Sequence, residues 1–312
     1  MLSGIEKAAS MQRSALSAPW PKYAALLAVD NTRILNIGRR LRLAWAMRRT
    51  RRFRTAVDET VAKCPWVQRT MRNHPILFRP LTSRFLDSRF TRHTLFQSYA
   101  HDLEFTSTRI HWAFPSFFPL RLHARLSANS LRRYAVDVDM NLDHPQEGLW
   151  RLSLRCPDHL RLFAICFSII PGPTIFIGAV QGGRSTEASS IPERIRVATK
   201  DFEGVRPNFL LFDVVRALAA LWRVESICGV SNRHQLKAHS SSKHANAVRF
   251  SYDAFFQELG ARPRCDGNWD VPTSACDRRI ADAPSKKRAM YRRRFALLNE
   301  LRSEVRTSLE SL

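Results

Sequence analysis

The chain has 312 residues, and 45% of them are hydrophobic, which is enough for a substantial core in one large or two medium domains. Its 50 basic residues, 42 of them arginine, outnumber 27 acidic residues and give a net charge of +23. This composition excludes a disordered chain. The charge indicates anionic partners (nucleic acid, anionic lipid or phosphorylated small molecules) or the arginine preference of a GC-rich genome.

Residues 1 to about 110 are predicted to form a basic helical region. Between Arg33 and Arg54 there are nine arginines and no acidic residue, and apolar residues recur among them at helical spacing. Three interpretations stay open: a helix packed on the main domain with a solvated arginine face, a helix on an anionic membrane surface, and a nucleic-acid-binding face. No recognisable nucleic-acid-binding motif supports the last.

A further helix is predicted from Ser88 to Phe105. The prolines in Ala113–Pro119 bias the residues before them to extended conformations, so we place a domain transition there.

A run of strands is predicted after that transition. Tyr134–Met140, Gly148–Cys156 and Arg161–Ile170 are separated by turn-rich segments, which favours an antiparallel meander. The meander leads into Thr174–Gly183, a β-branched and aromatic run closed by two glycines, which is typical of a strand buried on both faces.

Two helices, Ile191–Lys200 and Pro207–Arg223, and a strand, Glu225–Asn232, are predicted to follow. The second helix starts at a proline, has only Asp213, Arg216 and Arg223 as strongly polar residues, and is therefore expected to be buried. It is too short and too charged for a membrane span. Two strands joined through helices predict a parallel pair.

The chain is predicted to end with a helix at Tyr252–Leu259 capped by Gly260, a strand at Trp269–Pro272 and a basic helical tail at Lys286–Leu301. The predicted fold class is α+β, with a basic helical N-terminal region followed by a mixed β-sheet with packed helices. The predicted divisions are 1–110, 111–282 and 283–312.

The cysteine spacing and the N-terminal sequence indicate the cellular compartment of the protein. The six cysteines show no short paired spacing, which disfavours a disulfide framework or a zinc ribbon and favours reduced cytosolic thiols. We expect no metal site and no signal peptide, because the first residues lack an uninterrupted apolar run. The cysteines are Cys64, Cys156, Cys166, Cys228, Cys265 and Cys276.

The C-terminal two thirds resemble the VirK/YbjX family, a domain of unknown function. The matching segments are Ile177–Gly182, Thr199–Pro207, Gly229–Asn232 with His234, Tyr252–Glu258 and Tyr291–Leu298. The resemblance implies a Gram-negative bacterial protein associated with virulence, envelope stress and tolerance of antimicrobial peptides. It implies no particular reaction.

The order of elements also resembles the GNAT acyltransferases, so the predicted sheet is GNAT-like. In that resemblance the roles of the central strand, the coenzyme A helix, the strand-end asparagine and the tyrosine acid fall on Thr174–Gln181, Gly204–Pro207, Asn232 and Tyr252. A helix N-terminus attracts anions in its own right. The Gly-rich pyrophosphate signature of those enzymes is absent.

The candidate ligand-binding residues are Gln181, Gly182, Lys200, Arg206 and Asn232. The two glycines that follow Gln181 let a ligand approach the backbone or simply form a turn. Lys200 and Arg206 hold a phosphate or pair with acidic neighbours in a solvated loop.

The candidate catalytic residues are His234, Tyr252 and Glu203. His234 is a general base or a surface histidine, and Glu203 is an alternative base. Tyr252 is a proton donor or an anchor that fixes its helix through the ring. Asp213 and Arg216 are expected to form an ion pair.

Two functions follow as hypotheses. The first is an accessory factor for the bacterial envelope, cytoplasmic or peripheral at the inner membrane, with an anion-binding pocket at the start of the Pro207 helix and an anionic membrane or envelope component as partner. The second is an acyl-CoA-dependent acyltransferase. A nucleic-acid-associated stress protein is a weaker third. Whether the chain is an enzyme and how it oligomerises stay open.

Overall fold

The computed structural model describes residues 48, 55–64, 67, 70–71, 74–110, 120–122, 134–156, 158–183, 190–239, 250–274 and 285–310. Apart from Arg48, the predicted basic helix between Arg33 and Arg54 lies outside these residues. The predicted transition at Ala113–Pro119 also lies outside them.

The described chain is an α+β protein with one mixed sheet of eight strands, in the order β1-β2-β3-β4-β5-β6-β8-β7. The strands are β1 (Leu120–Leu122), β2 (Ala135–Met140), β3 (Trp150–Arg155), β4 (Arg161–Ile170), β5 (Thr174–Gly182), β6 (Ser226–Gly229), β7 (Arg262–Pro263) and β8 (Trp269–Val271).

The described α-helices are α1 (Thr55–Lys63), α2 (Arg79–Thr82), α3 (Arg92–Phe105), α4 (Ser190–Asp201), α5 (Pro207–Leu221), α6 (Tyr252–Glu258) and α7 (Ser285–Glu310). Short 3-10 turns occupy Pro75–Phe78, Pro145–Glu147 and Leu236–His239. Side-chain oxygens cap two helices: Thr91 accepts from the Thr94 amide before α3, and Ser251 accepts from the Ala254 amide before α6.

The predicted antiparallel meander is confirmed. Strands β2 to β5 pair in chain order, each antiparallel to the one before, and β1 adds to the outer edge of β2. Strand β5 is buried over its first seven residues, as its continuous apolar sequence predicts. This strand therefore lies in the interior of the sheet, with neighbours on both sides.

The predicted parallel pair is also confirmed. Strands β5 and β6 pair in parallel over Thr174–Ile177 and Ser226–Gly229, and the chain between them carries α4 and α5. Helix α5 begins at Pro207, where a missing N–H has no cost, and most of its residues are buried. The helix therefore lies between the sheet and α7, which packs against it.

The helices before the sheet share its hydrophobic core. Val57 of α1, Tyr99 of α3 and Ile165 of β4 belong to one continuous cluster of buried side chains. Helix α3 was predicted from the sequence, and α1 lies in the region that was predicted to be helical without separate bounds. Strands β1 and β7 were not predicted. The predicted domain boundaries stay predictions.

The C-terminal helix is longer than predicted. It extends to Glu310, and Leu297, Leu301 and Val305 bury one face of it in the core. Among the helices of the described ranges, none is both long and apolar enough to cross a bilayer. Five cysteines of the described chain have free thiols: Cys64, Cys156, Cys166, Cys228 and Cys265.

Candidate functional site

A cleft of about 600 Å³ opens beside the first turn of α5. Its walls come from the loop before α5, from α5 itself, from the end of α6 and from one face of α7. Four arginines and two acidic residues are among the lining residues, so the cleft has a positive balance. The charged lining residues are Arg206, Asp213, Arg216, Glu258, Arg294 and Arg302. We call this site the arginine cleft.

Two of these arginines stand at the mouth of the cleft. Arg206 precedes Pro207, packs over the ring of Phe209 at 4.3 Å and forms an ion pair with Glu258. Arg294 donates from Nε to the carbonyl oxygen of Glu203, at 2.6 Å, and from a second nitrogen to that of Gly204. Because those acceptors are neutral, its positive charge is not cancelled by them.

Another part of the cleft wall is an ion cluster whose carboxylate, that of Asp213, is buried. Asp213 of α5 is 2.8 Å from Arg302 of α7 and 3.6 Å from Arg216 one turn along its own helix. The expected Asp213–Arg216 pair is therefore present, and Arg302 joins it. The cluster therefore places two guanidinium groups around one carboxylate.

A second polar site lies where β5 and β6 separate. The two strands pair only as far as Ile177 and Gly229, after which β6 ends while β5 continues to Gly182. Gly178 is an extra residue in β5, since Ile177 and Ala179 oppose adjacent residues of β4. This bulge redirects β5 just as it leaves β6. Beyond it lie the polar residues that we call the strand-end cluster, which are Glu147, Gln181, Asn232, Lys237 and Tyr252.

The centre of the strand-end cluster is Glu147, a carboxylate that is 1% exposed. Gln181 donates its side-chain amide to Glu147, and the Lys237 ammonium lies 2.8 Å from the other carboxylate oxygen. The lysine side chain is 36% exposed, so the charge pair reaches from the interior toward solvent. A buried carboxylate needs this kind of pairing, because an isolated one is costly.

Tyr252 is buried next to this carboxylate. Its hydroxyl lies 3.4 Å from both the amide nitrogen and the carbonyl oxygen of Val180, which are long contacts. Burial, and then the negative charge of Glu147, raise the pKa of Tyr252 well above its ordinary value. The side-chain amide of Gln235 lowers that pKa. Its nitrogen is buried and makes no hydrogen bond of good geometry in the described chain.

Asn232 and His234 both make hydrogen-bond contacts with neighbouring elements of the fold. The Asn232 side-chain oxygen accepts from the Tyr252 amide at 2.8 Å, which fixes the start of α6 to the end of β6. His234 is only 8% exposed, and its Nδ1 lies 3.0 Å from the Ser231 hydroxyl and 3.3 Å from Asn268. The interpretation of His234 as a surface histidine is therefore wrong, because the loop carrying Asn268 covers it.

The remaining candidate residues lie elsewhere. Lys200 is exposed on α4, and Gly182 is exposed at the end of β5. Glu203 adopts a left-handed conformation after α4, with φ of +53°, and its carboxylate accepts from Arg293 of α7 at 2.9 Å. The acidic partner of Arg206 is Glu258, on another helix, so the expected pairing within its own loop is not the one that forms.

The structure thus divides the candidate residues into two sites. Gln181, Asn232 and Tyr252 gather at the strand ends, whereas Arg206 lines the arginine cleft. The two sites lie at opposite ends of α6, because Tyr252 begins that helix and Glu258 ends it. A single pocket lined by Gln181, Arg206 and Asn232 is not what the described residues form.

Sequence reasoning missed residues in both sites. Glu147 lies in a turn-rich segment, where nothing distinguishes a buried carboxylate from a solvated one. A signal did exist in the C-terminal helix, where one face carries the cleft residues at spacings of three and four. That stripe comprises Tyr291, Arg294, Phe295, Leu298 and Arg302.

Among the buried acids that lie away from both sites, Asp102 has a raised pKa. Asp102 of α3 is fully buried and accepts from the Trp150 indole nitrogen at 2.9 Å. Burial raises its pKa from 3.8 to about 7, although the hydroxyls of Ser168 and Thr106 and the indole act to lower it. Within the described ranges, no three His, Cys, Asp or Glu side chains are grouped as metal ligands would be.

These features define an α+β protein with a mixed eight-stranded sheet and a cationic cleft beside its buried helix. The chain belongs to the family described as "Protein of unknown function (DUF535)", which matches residues 34–307. The predicted membership of the VirK/YbjX family is thereby confirmed.

Several relatives are known by name or organism. An uncharacterized protein of Haemophilus influenzae is 27% identical over 237 residues, covering 74% of this chain and 75% of that protein. "Uncharacterized protein YbjX" of Escherichia coli K12 is 26% identical over 189 residues, covering 59% of this chain and 56% of that protein. "Membrane protein LapB" of Mannheimia haemolytica is 25% identical over 182 residues, covering 58% and 77%. No solved structure matches the chain.

Proposed function

We propose that this protein is an accessory factor of the Gram-negative envelope that acts at an anionic surface and holds anionic groups in the arginine cleft. The observation that carries the proposal is the cleft itself, where four arginines face two carboxylates beside the N-terminus of a buried helix. Arginine suits this role because its planar guanidinium presents several donors to phosphate or carboxylate oxygens.

A basic surface continues from the cleft along the first half of α7. Lys287, Arg288, Arg292 and Arg293 are exposed there, next to the cleft residues Tyr291 and Arg294. Clustered basic residues of this kind are attracted to anionic lipid. One relative has the name "Membrane protein LapB", which supports a site of action at a membrane. We accordingly propose a cytoplasmic protein that is peripheral at the inner membrane.

Co-sedimentation with lipid vesicles tests this function. We expect the protein to pellet with vesicles that contain phosphatidylglycerol, to remain in solution with pure phosphatidylcholine, and to be released as salt is raised. The double variant Arg206→Gln/Arg294→Gln should bind more weakly.

The matched control is Arg196→Gln/Arg223→Gln, which removes the same charge from exposed positions outside the cleft. Arg196 is a close counterpart of Arg206, because it too is exposed and paired with a carboxylate, that of Glu193. Equal losses in the two double variants would show that total charge, and not the cleft, governs binding. Binding that ignores lipid charge would refute the proposal.

A second candidate function, an acyl-CoA-dependent acyltransferase of GNAT-like fold, is favoured by the strand-end cluster. The parallel strands separate at the Gly178 bulge, and polar groups collect where they part. The carboxylate near Tyr252 is Glu147, so Glu147 replaces Glu203 and His234 as the candidate base and Tyr252 remains the candidate acid.

Thermal unfolding with a coenzyme A panel tests the second function. Acetyl-CoA or a longer acyl-CoA at concentrations well above its Kd should raise the Tm. Release of free thiol from acyl-CoA in the presence of an amine acceptor should then fall in Tyr252→Phe. A flat Tm across the panel and no thiol release would remove this candidate and leave the first untouched.

A further inference from the structure

The arginine cleft has an apolar interior as well as a cationic mouth. Its lining includes Val205, Phe209, Leu259, Phe295 and Leu298, which come from four separate segments of the chain. Of these, Leu259 is buried, while the other four are partly exposed and leave apolar surface open to the cleft. A site for inorganic phosphate or a small metabolite needs no such surface.

The guanidinium groups of Arg206 and Arg294 each pack over an aromatic ring. The Arg206 guanidinium lies 4.3 Å from the centre of the Phe209 ring, and that of Arg294 lies 5.5 Å from the centre of the Tyr291 ring. Stacking of this kind holds a guanidinium at the boundary between apolar surface and water. Positive charge is thus fixed where the apolar interior meets solvent.

From this arrangement we propose that the occupant of the arginine cleft is a single-chain anionic amphiphile, a phosphorylated head group that carries one acyl chain. The inference rests on the proposed function and names its ligand class. The head group pairs with Arg206 and Arg294 at the mouth, and the chain lies along Phe209, Phe295 and Leu298. A cleft of about 600 Å³ is in the range typical of small-ligand sites, which suits one chain.

Glu258 is the internal competitor for the head group. Its carboxylate occupies Arg206 in the structure, and both side chains are about half exposed, so the pair can open at little cost. A phosphate group bound to Arg206 therefore replaces one anionic partner with another. Arg294, bonded to neutral carbonyl oxygens, is the arginine that gains most from an anion.

Calorimetric titration of the full chain with defined probes tests the inference. Dodecyl phosphate, below its critical micelle concentration, should bind at least about tenfold more tightly than inorganic phosphate, since burial of a few methylenes supplies that factor. It should also bind at least about tenfold more tightly than dodecyl maltoside, which has the chain without the charge. Leu298→Gln should weaken binding of dodecyl phosphate more than binding of inorganic phosphate, whereas Arg294→Gln should weaken both.

The outcomes distinguish a failure of the inference alone from a failure of the proposed function. If dodecyl phosphate binds no more tightly than inorganic phosphate, the cleft binds anions but the amphiphile inference is wrong. If dodecyl maltoside binds equally well, the inference is wrong because charge plays no part. If no anionic probe binds, both fail.

The experiment also needs a control variant and a comparison of two natural classes of ligand. Ala296→Gln, on the exposed face of α7, should change none of the affinities, and circular dichroism should show that each variant is folded. Lysophosphatidylglycerol and lauroyl-CoA share the proposed chemistry and differ in source. A preference for the first supports a lipid ligand, and a preference for the second supports a coenzyme A thioester in the same cleft.

Discussion

Gly178 of β5 packs directly against the carbonyl oxygen of Glu147. A Cβ atom added at Gly178 would overlap that oxygen, and it would also press on the side chain of Leu86. The bulge that separates β5 from β6 is thus packed against the 3-10 turn that ends in the buried carboxylate. One close backbone contact joins the divergence of the strands to the centre of the strand-end cluster.

We predict that Gly178→Ala lowers the free energy of unfolding by about 1 to 3 kcal/mol, the usual cost of an overpacked interior. The atom in the way belongs to the backbone, so no side chain can rotate to make room. Urea denaturation measures the change. Gly182→Ala is the matched control, because a Cβ there meets nothing within 4 Å. A Gly178→Ala protein as stable as Gly182→Ala would mean that the contact is looser than described.

The sequence predicted the elements that carry their own burial pattern. Strands β4 and β5 and helix α5 are apolar over most of their length, and their bounds agree with prediction to within two residues. The burial of Glu147 could not be predicted, because Gly178, Gln181 and Lys237 determine it from distant parts of the chain. Local propensity contains no information about such long-range contacts.

The arginine cleft was predicted only in part. Pro207 and Arg206 indicated an anion site at a helix start, but the opposite wall is α7, which pattern alone defined as a basic tail. Its cleft-facing stripe is visible in the spacing of Tyr291, Arg294 and Leu298. What the pattern omits is that α7 packs on α5, which only the tertiary structure shows.

The interior carboxyl of Asp102 predicts a dependence of stability on pH. Its pKa is about 7 in the folded protein, against 3.8 for the free side chain. Below about pH 4 the Asp102 carboxyl is protonated in both the folded and the unfolded protein. Between about pH 4 and pH 7 it is protonated only in the folded protein. Stability from this group is therefore present at low pH and lost as pH rises to about 7. Each tenfold change in the acid constant corresponds to about 1.4 kcal/mol.

Asp102→Asn isolates this effect, since asparagine keeps the size and an acceptor for the Trp150 indole. We expect the variant to gain stability relative to the native chain between pH 5 and pH 8, by one to a few kcal/mol at an order-of-magnitude level. Urea denaturation of both proteins at the two pH values measures the difference. A difference that stays constant with pH would show that Asp102 is ionised throughout.

Removal of the competing carboxylate should open the arginine cleft. Glu258→Gln keeps the size of the side chain and frees the Arg206 guanidinium for an external anion. We predict that the Kd for an anionic probe such as dodecyl phosphate falls by up to about fivefold, the range expected for a half-exposed charge pair. Calorimetric titration measures it. Glu193→Gln, which frees Arg196 on α4, should leave the Kd unchanged; a similar gain in both variants would make the effect one of net charge.

The ion cluster of Asp213 should determine how firmly α7 is held on α5. Asp213 is 3% exposed and contacts Arg216 on its own helix and Arg302 on α7. Asp213→Asn removes the negative charge but keeps the shape, so Arg216 and Arg302 both lose the carboxylate that they share. Removing one member of a fully buried pair costs about 3 to 5 kcal/mol. Because Arg302 is 29% exposed and water can reach it, we expect a smaller loss of about 1 to 3 kcal/mol.

Urea denaturation measures that loss, and proteolysis of the native protein locates it. If the cluster fastens α7, Asp213→Asn should increase cleavage within 285–310 before global unfolding, since a loosened helix exposes its backbone. Arg302→Gln should show the same pattern with a smaller loss, because Asp213 keeps Arg216 as a partner. Combining the two changes should cost less than the sum of the single losses, because both remove the same interaction. Fully additive losses would show that the two residues stabilise the fold independently, and that the apolar face of α7 alone holds it in place.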